Sequence, residues 1–425
     1  MRAKKSSLNL MLLPAMLVSV LLVANHAMAS GPQERTLYTF LGQSNGGGPF
    51  EMDGLIADQS GNLYGTATQG GQKGDGVVFE LTPPSAPGAP WTETVLYSFQ
   101  NGSDGESPMG GLIFDAAGNL YGTTAYGGKT GNGSVFELSP PAIAGGAWTE
   151  TTLYHFLGGT DGEVPVSGVI LDSKGNLYGT TYYGAVGNNG MVFELSPPVV
   201  QGGSWTETII HTFPGPLGSN PVGAHPNGGL LLNPQGALFG TAITGGSGSW
   251  GVVFKLAPPL TGQKNWRAEV LYNFTDGSDG SIPMGNLALG PNGSLYGVAA
   301  QFSGFNGFGY GMVYQMTPPT VPGGSWTQTT IYTFIGGGSD AVPVNVMYHA
   351  GKLYGTTEGQ YNFNGEIFEL TLQGGIWAET ILHAFTGTDG TYPVARLTYN
   401  NKGGFYGSTL SGGRDGSGVF FEVIP

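Results

Sequence analysis

The sequence predicts an all-β protein, a seven-bladed β-propeller of four-stranded antiparallel blades that is closed by an N-terminal strand pairing into the last blade. Three observations predict this fold. One motif recurs seven times, each copy divides into four short strands separated by turns, and the two ends of the chain carry complementary parts of one copy. Repeats of ~40 to ~50 residues or more are typical of propeller blades.

The repeat is marked by Leu-Tyr-Gly-Thr or a close variant, at intervals of 52 to 61 residues. The marker is preceded by Pro-x3-Leu-x-x-Asp-x-x-Gly-Asn and followed by a Gly-rich loop, Val-Phe-Glu-Leu-x-Pro-Pro and Trp-Thr-Glu-Thr-x-Leu-Tyr-x-Phe. A stacked pair of three- and four-bladed bodies is the alternative arrangement. The marker begins at Leu63, Leu120, Leu177, Leu238, Leu295, Leu353 and Phe405.

The second complete copy shows how one unit divides into strands. A short turn containing Gly118 separates the first two strands, because glycine readily takes the positive φ that such turns need. The pair Pro140-Pro141 ends the third strand, since proline has no N–H to donate to the ladder. The four predicted strands are Gly111–Asp115, Leu120–Tyr126, Ser134–Ser139 and Trp148–Phe156.

The ends of the chain predict how the ring closes. The segment Arg35–Phe40 matches a fourth strand, whereas the chain ends at Pro425 just after a third strand, Gly418–Val423. The seventh blade therefore lacks an outer strand that the N-terminus can supply. Such closure protects strand edges that would otherwise be free.

The first 29 residues predict a secretory signal peptide rather than part of the fold. Arg2, Lys4 and Lys5 precede an apolar stretch from Leu8 to Ala24, and a small-x-small cleavage pattern follows at Ala27–Ala29. The apolar stretch falls short of the roughly 20 residues that a membrane span needs. We therefore expect a secreted or periplasmic protein.

Composition narrows the partners of the mature chain, residues 30–425. The chain has no cysteine, so neither a disulfide nor a lipid anchor on cysteine is available. Without the signal, 11 basic residues stand against 28 acidic ones, which disfavours nucleic acid and anionic membrane surfaces as partners. A monomeric propeller with no transmembrane segment is expected.

The repeat resembles the tandem GloVer repeat proteins of bacteria over nearly all of residues 36–425. The resemblance is specific in Leu120–Thr124, Gly133–Leu138 and Asp161–Pro165. It implies an exported repeat protein of unassigned function, and it supplies no catalytic residue. Family members often end in a C-terminal anchor, whereas this sequence ends inside its last blade, so no anchor is expected. Three units depart from the motif, at Phe239, Val298 and Ser408.

In this strand order the loops between blades and the loops from second to third strand open on the same face, where a binding site is expected. The loops between blades carry one Asx residue each: Asn45, Asp104, Asp161, Asn220, Asp279, Asp340 and Asp389. Asx turns that bond their own backbone are one interpretation. The alternative is that Asp104, Asp161, Asp279, Asp340 and Asp389 hold Ca²⁺, which prefers several oxygen ligands. No other cofactor is indicated.

The second loop set departs from the Gly-rich consensus in three neighbouring blades. Aromatic side chains there could stack on sugar rings or form a protein contact, or could instead cover their own loops. Tyr126, Tyr182 and Tyr183 could extend this patch from the preceding blades. The predicted aromatic patch comprises Trp250, Phe302, Phe305, Phe308, Tyr310, Tyr361 and Phe363.

Two functions follow from these patterns. The favoured one is a non-enzymatic module that binds an extracellular glycan or protein through the loop-rich rim, or that serves a structural role. The alternative is an extracellular carbohydrate-active hydrolase or lyase, although a glycosidase needs two carboxylates that flank one bond.

His211 and His383 replace a repeated tyrosine and are expected to be packing variants. Acidic residues that depart from the repeat are Glu51, Asp53, Asp75, Glu106, Glu163, Glu358, Glu366 and Asp415.

Overall fold

A computed structural model describes residues 31–425 apart from 43–44, 48, 50–53, 87, 101, 144, 201, 215–221, 301–309, 322, 336–341 and 360–363. Pro32–Pro425 form one compact unit. It consists of seven antiparallel sheets arranged as the blades of a propeller, and no α-helix occurs in the part of the chain described. The predicted fold class is confirmed.

Blades 1 to 3 each follow the predicted order of four strands from the axis outwards. Blade 3 carries an extra two-residue ladder, β10 with β13, beside its main sheet. Blade 1 contains β2 (Ile56–Ala57), β3 (Leu63–Ala67), β4 (Val77–Thr82) and β5 (Thr92–Ser98). Blade 2 contains β6 (Ile113–Phe114), β7 (Leu120–Thr124), β8 (Ser134–Ser139) and β9 (Thr149–His155). Blade 3 contains β10 (Gly162–Glu163), β11 (Ile170–Leu171), β12 (Leu177–Thr181), β13 (Tyr183–Gly184), β14 (Met191–Ser196) and β15 (Thr206–Thr212).

Blades 4 to 7 repeat the pattern, with the first strand of blade 4 in two pieces and a 3₁₀ turn at Pro291–Gly293 in blade 5. The strands are, in blade 4, β16 (Ala224–Pro226), β17 (Leu231–Leu232), β18 (Leu238–Thr244), β19 (Val252–Ala257) and β20 (Arg267–Asn273); in blade 5, β21 (Pro283–Leu289), β22 (Leu295–Ala299), β23 (Met312–Thr317) and β24 (Thr327–Thr333); in blade 6, β25 (Pro343–His349), β26 (Lys352–Thr357), β27 (Glu366–Gln373) and β28 (Ile376–Ala384); and in blade 7, β29 (Thr398–Tyr399), β30 (Phe405–Ser408), β31 (Val419–Ile424) and β1 (Gln33–Thr39).

The ring closes through the N-terminal strand, as the sequence predicts. β1 pairs with β31 in an antiparallel register that runs from Gln33 opposite Ile424 to Thr39 opposite Val419. The amide of Phe40 donates to the carbonyl of Gly418 at 3.0 Å. The last blade is therefore built from both ends of the chain.

The glycine of Leu-Tyr-Gly-Thr makes room for an aromatic ring. Gly122 on β7 lies opposite Phe136 on β8, and a Cβ added at Gly122 would lie 2.6 Å from the Cζ atom of that ring. The Phe136 side chain is fully buried. An aromatic side chain that covers a cross-strand glycine is a known way of filling a sheet face, so these two consensus positions depend on each other.

The aspartate of the repeat organises the turn between the first and second strands. One carboxylate oxygen of Asp115 accepts hydrogen bonds from the amides of Ala117 and Asn119 at 2.8 and 2.9 Å. The other accepts from the Asn119 side chain and from the hydroxyl of Tyr121. This Asx turn explains the spacing Asp-x-x-Gly-Asn-Leu-Tyr.

The hydrophobic core lies between neighbouring blades. Phe156 of blade 2 packs edge-on against Phe193 of blade 3 with ring centroids 5.1 Å apart, and Tyr121 packs against Trp205 of blade 3 in the same way. Both phenylalanines are fully buried. Each blade therefore completes the core of the next one, and the predicted aromatic face of the fourth strand is covered.

A glycine and a proline of the repeat form the joint between consecutive blades. Gly133, which precedes β8, has φ 94° and lies so close to Pro165 of blade 3 that an added Cβ would be 2.7 Å from the proline Cδ. Its carbonyl accepts the amide of Phe156 at 3.1 Å. This joint recurs around the ring and brings the start of each first strand to the axis.

Candidate functional site

The candidate site is a cavity of about 400 Å³ on the axis, on the face where the two loop sets open. Its floor is formed by the residue that follows the repeated proline, contributed by six of the seven blades. Five of these side chains are Val or Met, so the centre of the cavity is apolar except for the Asn227 amide. The six residues are Met109, Val166, Asn227, Met284, Val344 and Val394.

Two positions before each floor residue, six blades carry a residue in the left-handed region of backbone space, and of these six Val164 lines the cavity. The residue before the repeated proline has a φ of 53° to 58° in six blades. Its amide donates to a carbonyl in the loop of the preceding blade at 2.8 to 3.0 Å. β-Branched residues rarely adopt this conformation, so the bond between blades has to stabilise it. The six residues are Ser107, Val164, His225, Ile282, Val342 and Tyr392.

Three tyrosines form an aromatic wall on one side of the cavity. Tyr126 and Tyr183 occupy the same position in blades 2 and 3, where their backbones pair with Glu106 and Glu163. Both side chains are about two-fifths exposed, at 42% and 39%. Tyr182 packs edge-on against Tyr183 with centroids 4.7 Å apart. The wall therefore presents ring surface to the cavity.

His225 supports this wall from blade 4. Its ring stacks on Tyr182 with centroids 5.0 Å apart and an interplanar angle of 29°. Its Nδ1 lies 3.0 Å from the hydroxyl of Thr244. Burial lowers the pKa of His225 and raises the pKa of the Tyr182 hydroxyl, so both side chains are neutral near pH 7.

Glu358 of blade 6 is the carboxyl group among the described lining residues. Its amide donates to the carbonyl of Val342 at 2.9 Å, which fixes it just after β26. Burial raises the pKa of its carboxyl above the usual range. In a ring of seven blades, blade 6 lies across the axis from the tyrosines of blades 2 and 3.

The cavity therefore combines stacking surface, an apolar floor and hydrogen-bonding groups. Its volume lies in the range of small-molecule sites, which are mostly apolar with a few placed polar groups. Aromatic faces attract the C–H faces of sugar rings, whereas Glu358 and Asn227 can bond hydroxyl groups. Paired carboxylates suited to glycoside hydrolysis do not occur among its described lining residues.

The structure describes two members of the predicted aromatic patch. Trp250 and Tyr310 precede the joint glycine in blades 4 and 5, and their carbonyls accept the amides of Ile282 and Val342. Trp250 is 37% exposed, whereas Tyr310 is partly buried and packs against the buried pair Ala300 and Val342. The remaining members, Phe302, Phe305, Phe308, Tyr361 and Phe363, lie outside the described residues.

The four described aspartates of the predicted Ca²⁺ ring bond within their own blade. Asp104 accepts the hydroxyl of Tyr97 and the amide of Gln100 at 3.0 and 2.9 Å. Asp161 and Asp279 accept the corresponding tyrosine hydroxyl and loop amide, and Asp389 accepts from Thr386 and contacts His383. This geometry is that of Asx turns. Asp340 lies outside the described residues.

Sequence reasoning named the three tyrosines and Glu358 but did not bring them together, and it missed the cavity floor. The available signal was the position after the repeated proline, which changes from Met to Val and Asn in an otherwise regular unit.

A larger cavity of about 1020 Å³ lies between blades 3 and 4 beside Trp266. A similar one lies beside Trp91 between blades 7 and 1, so this groove belongs to the repeat itself.

Comparisons with known proteins identify a family and a fold. The family model of the Gloeobacter/Verrucomicrobia repeat matches residues 26–224 and 200–421. No curated protein matches the chain. Among solved structures, a PL25 ulvan lyase bound to a GlcA-(1-4)-Rha3S unit is similar with 10% identity and a TM-score of 0.55, over 90% of this chain and 95% of the lyase.

Two further solved structures are similar at the same level. A putative 6-phosphogluconolactonase from Bacteroides uniformis has 16% identity and a TM-score of 0.53, over 84% of this chain and 89% of its own. A protein from Lactobacillus plantarum has 16% identity and a TM-score of 0.54, over 82% and 88%. At these identities the similarity supports the propeller fold alone.

Among the described residues no helix is long and apolar enough to cross a membrane.

Proposed function

Since the chain belongs to the Gloeobacter/Verrucomicrobia repeat family, we propose a function for it from the axial cavity: the protein is a non-enzymatic, exported module that binds an extracellular glycan. The observation that carries this proposal is the aromatic wall of Tyr126, Tyr182 and Tyr183 beside the cavity. The signal-like N-terminus supports export, and a protein partner is the other ligand class that fits the loop-rich rim.

The wall suits a sugar because its rings are held in place before a ligand arrives. Tyr183 is fixed by its ladder with Glu163, and Tyr182 is held between Tyr183 and His225. A pre-organised ring loses little conformational entropy on binding. Neutral tyrosine and histidine side chains also avoid the desolvation cost that charged groups would add.

The opposite wall supplies selectivity. Burial raises the pKa of Glu358, and in its protonated form this carboxyl can donate as well as accept a hydrogen bond. A neutral polysaccharide therefore fits the cavity better than a highly anionic one, since the chain itself carries a formal net charge of −14.

Glycan-array binding of the purified protein, with and without EDTA, tests this proposal. We expect selective binding that the double substitution Tyr126→Ala and Tyr183→Ala weakens at least about tenfold, since a lost stacking contact costs about 1 kcal/mol or more. Tyr392→Ala is the matched control, because Tyr392 is also 40% exposed but lines a different cavity.

The same assay separates the two predicted surfaces. If Trp250→Ala loses glycan binding and the tyrosine double variant keeps it, the ligand binds at the predicted aromatic patch, and the axial cavity is rejected as the site. Binding that depends on Ca²⁺ would support the predicted aspartate ring. Absence of glycan binding under every condition would contradict the glycan proposal and leave a protein partner or a structural role.

A carbohydrate-active enzyme remains the second candidate, and the stacked pair Tyr182 and His225 favours it. Tyr182 lines the cavity and His225 holds its ring in place, and proton transfer by a positioned phenol is part of the chemistry that elimination from an acidic sugar needs. Incubation with uronate-containing polysaccharides tests this candidate. Unsaturated sugar ends that disappear in His225→Gln would support a lyase, whereas no product would exclude that activity on the polysaccharides used.

A further inference from the structure

A second site emerges where neighbouring blades meet near their outer strands. At the junctions whose loop Asx residue is described, the structure brings together a tyrosine or histidine of one fourth strand, that Asx residue, and a position on the fourth strand of the next blade that is usually glutamate. At the junction of blades 1 and 2 these are Tyr97, Asp104 and Glu150. At the junction of blades 2 and 3 they are Tyr154 and Asp161, with Glu207 near them.

The junction of blades 6 and 7 differs because a histidine replaces the tyrosine while both acids are kept. His383 Nε2 lies 2.9 Å from Asp389 Oδ2 and 3.9 Å from Glu34 Oε2. One potential ligand atom from each residue falls within 4.8 Å of the others. No other group of three His, Asp, Glu or Cys side chains comes together in this way within the described residues.

Each carboxylate in this cluster is oriented by a threonine. The hydroxyl and amide of Thr386 both donate to Asp389 Oδ1 at 2.8 Å, so its Oδ2 faces the histidine. The hydroxyl of Thr36 donates to Glu34 Oε1 at 3.3 Å, and the Oε2 of Glu34 again faces the histidine. Such outer contacts are how proteins orient metal ligands.

The cluster also carries uncompensated negative charge. Neither Glu34 nor Asp389 forms an ion pair with a Lys or Arg side chain in the described part of the chain. A divalent cation between the two carboxylates would compensate this charge.

The other junctions lack this combination. Where tyrosine is kept, burial raises the pKa of its hydroxyl, so it stays protonated and is a poor metal ligand. His211 at the junction of blades 3 and 4 is the other histidine at this position, but the glutamate position in blade 4 is occupied by Ala268. His211 is instead buried and neutral, with its pKa lowered to about 4.

We propose that Glu34, His383 and Asp389 form a binding site for a divalent transition-metal ion such as Zn²⁺, which holds the N-terminal strand of blade 7 against blade 6. One imidazole and two carboxylates are a ligand set that suits Zn²⁺, whereas Ca²⁺ prefers six or more oxygens. Ligands about 2 Å from a tetrahedral ion lie about 3.3 Å apart, so small side-chain movements complete the site.

The side chains leave room for a fourth ligand from solvent. His383 and Asp389 are 20% and 21% exposed, whereas Glu34 is 9% exposed. The site thus differs from a closed structural zinc site with four protein ligands. Because it joins β1 to blade 6, metal binding adds stability where the ring closes.

Titration of metal-free protein with Zn²⁺ tests the proposal by calorimetry and by thermal unfolding. We expect one strong site per chain and a rise of the unfolding temperature. Co²⁺ as a second probe should give a visible absorption band of a low-coordinate ion. Ca²⁺ at the same concentration should change neither signal.

The test variants are His383→Tyr, which restores the residue that most blades carry, and Glu34→Gln. Both should lose the Zn²⁺-dependent rise and weaken binding about 100-fold or more. His211→Tyr is the matched control, because it makes the same exchange at the same repeat position and should keep the site. Full Zn²⁺ binding by His383→Tyr, or no binding by the unmodified protein, would overturn the proposal.

Discussion

At the residue scale, the glycines of this chain differ in what they do. Gly133 combines a φ of 94° with close contacts to the Thr124 carbonyl and to Pro165. Gly131, two residues earlier, has a φ of 84° but no atom within 4 Å of an added Cβ. Glycine is needed at position 133 for both backbone conformation and space, whereas it is needed at position 131 for backbone conformation alone.

The substitutions Gly133→Ala and Gly131→Ala separate these two requirements. We expect Gly131→Ala to lower the free energy of unfolding by about 1 kcal/mol, because alanine is strained at positive φ. Gly133→Ala should cost about 3 kcal/mol or more, since the joint between blades must also move. Urea unfolding measures both, and equal losses would show that Pro165 yields freely.

At the element scale, β1 is the strand that the last blade cannot replace. It pairs with β31 along its whole length, and Phe40 beyond its end packs against Phe79 of blade 1 with centroids 5.3 Å apart. Its removal exposes the edge of β31 and opens the core between blades 7 and 1. An unpaired edge of this kind also favours aggregation.

Deletion of residues 30–41 should therefore destabilise the whole propeller rather than one blade. The expected result is a large drop of the unfolding temperature in a single transition, measured by calorimetry. Deletion of residues 30–32 is the control, because it stops before β1 begins at Gln33. A protein without residues 30–41 that unfolds like the intact one would contradict closure through this strand.

At the scale of the whole molecule, the junctions between blades make stability depend on pH. Burial raises the pKa of Glu34, Glu93, Glu150 and Glu207 to about 7. The folded state therefore binds more protons than the unfolded state between pH 4.5 and 7, and this stabilisation is lost as the pH rises through 7. His211 acts in the opposite sense, because its pKa is lowered to about 4 and its contribution is lost as the pH falls from 6.5 to 4.

These opposing groups predict a maximum of stability near pH 4.5, because four glutamates lose their stabilisation between pH 4.5 and 7 whereas a single histidine gains its own between pH 4 and 6.5. Above it the glutamates ionise inside the junctions, and below it His211 becomes protonated while buried. Thermal unfolding between pH 4 and 8 in the presence of EDTA measures the profile. Glu150→Gln should flatten the decline between pH 4.5 and 7, and an unchanged decline would show that Glu150 titrates as an exposed carboxyl does. Partial exposure of these side chains keeps each contribution small.

The sequence alone determined the number of blades, the order of strands within each and the strand that closes the ring. These features follow from local chemistry: glycine and proline mark turns, alternating apolar residues mark strands, and a repeated motif must pack in a repeated way. The incomplete seventh unit and the extra segment Arg35–Phe40 further predicted which ends meet.

Only the tertiary structure decided which residues from different blades share a site. Tyr183 and Glu358 lie 175 positions apart in the chain but line one cavity, because the propeller turns every first strand to the same axis. Glu34 meets His383 because ring closure brings the first strand beside blade 6. A repeat shows what each blade contains, whereas the contacts between blades depend on the closed ring, and no local pattern encodes them.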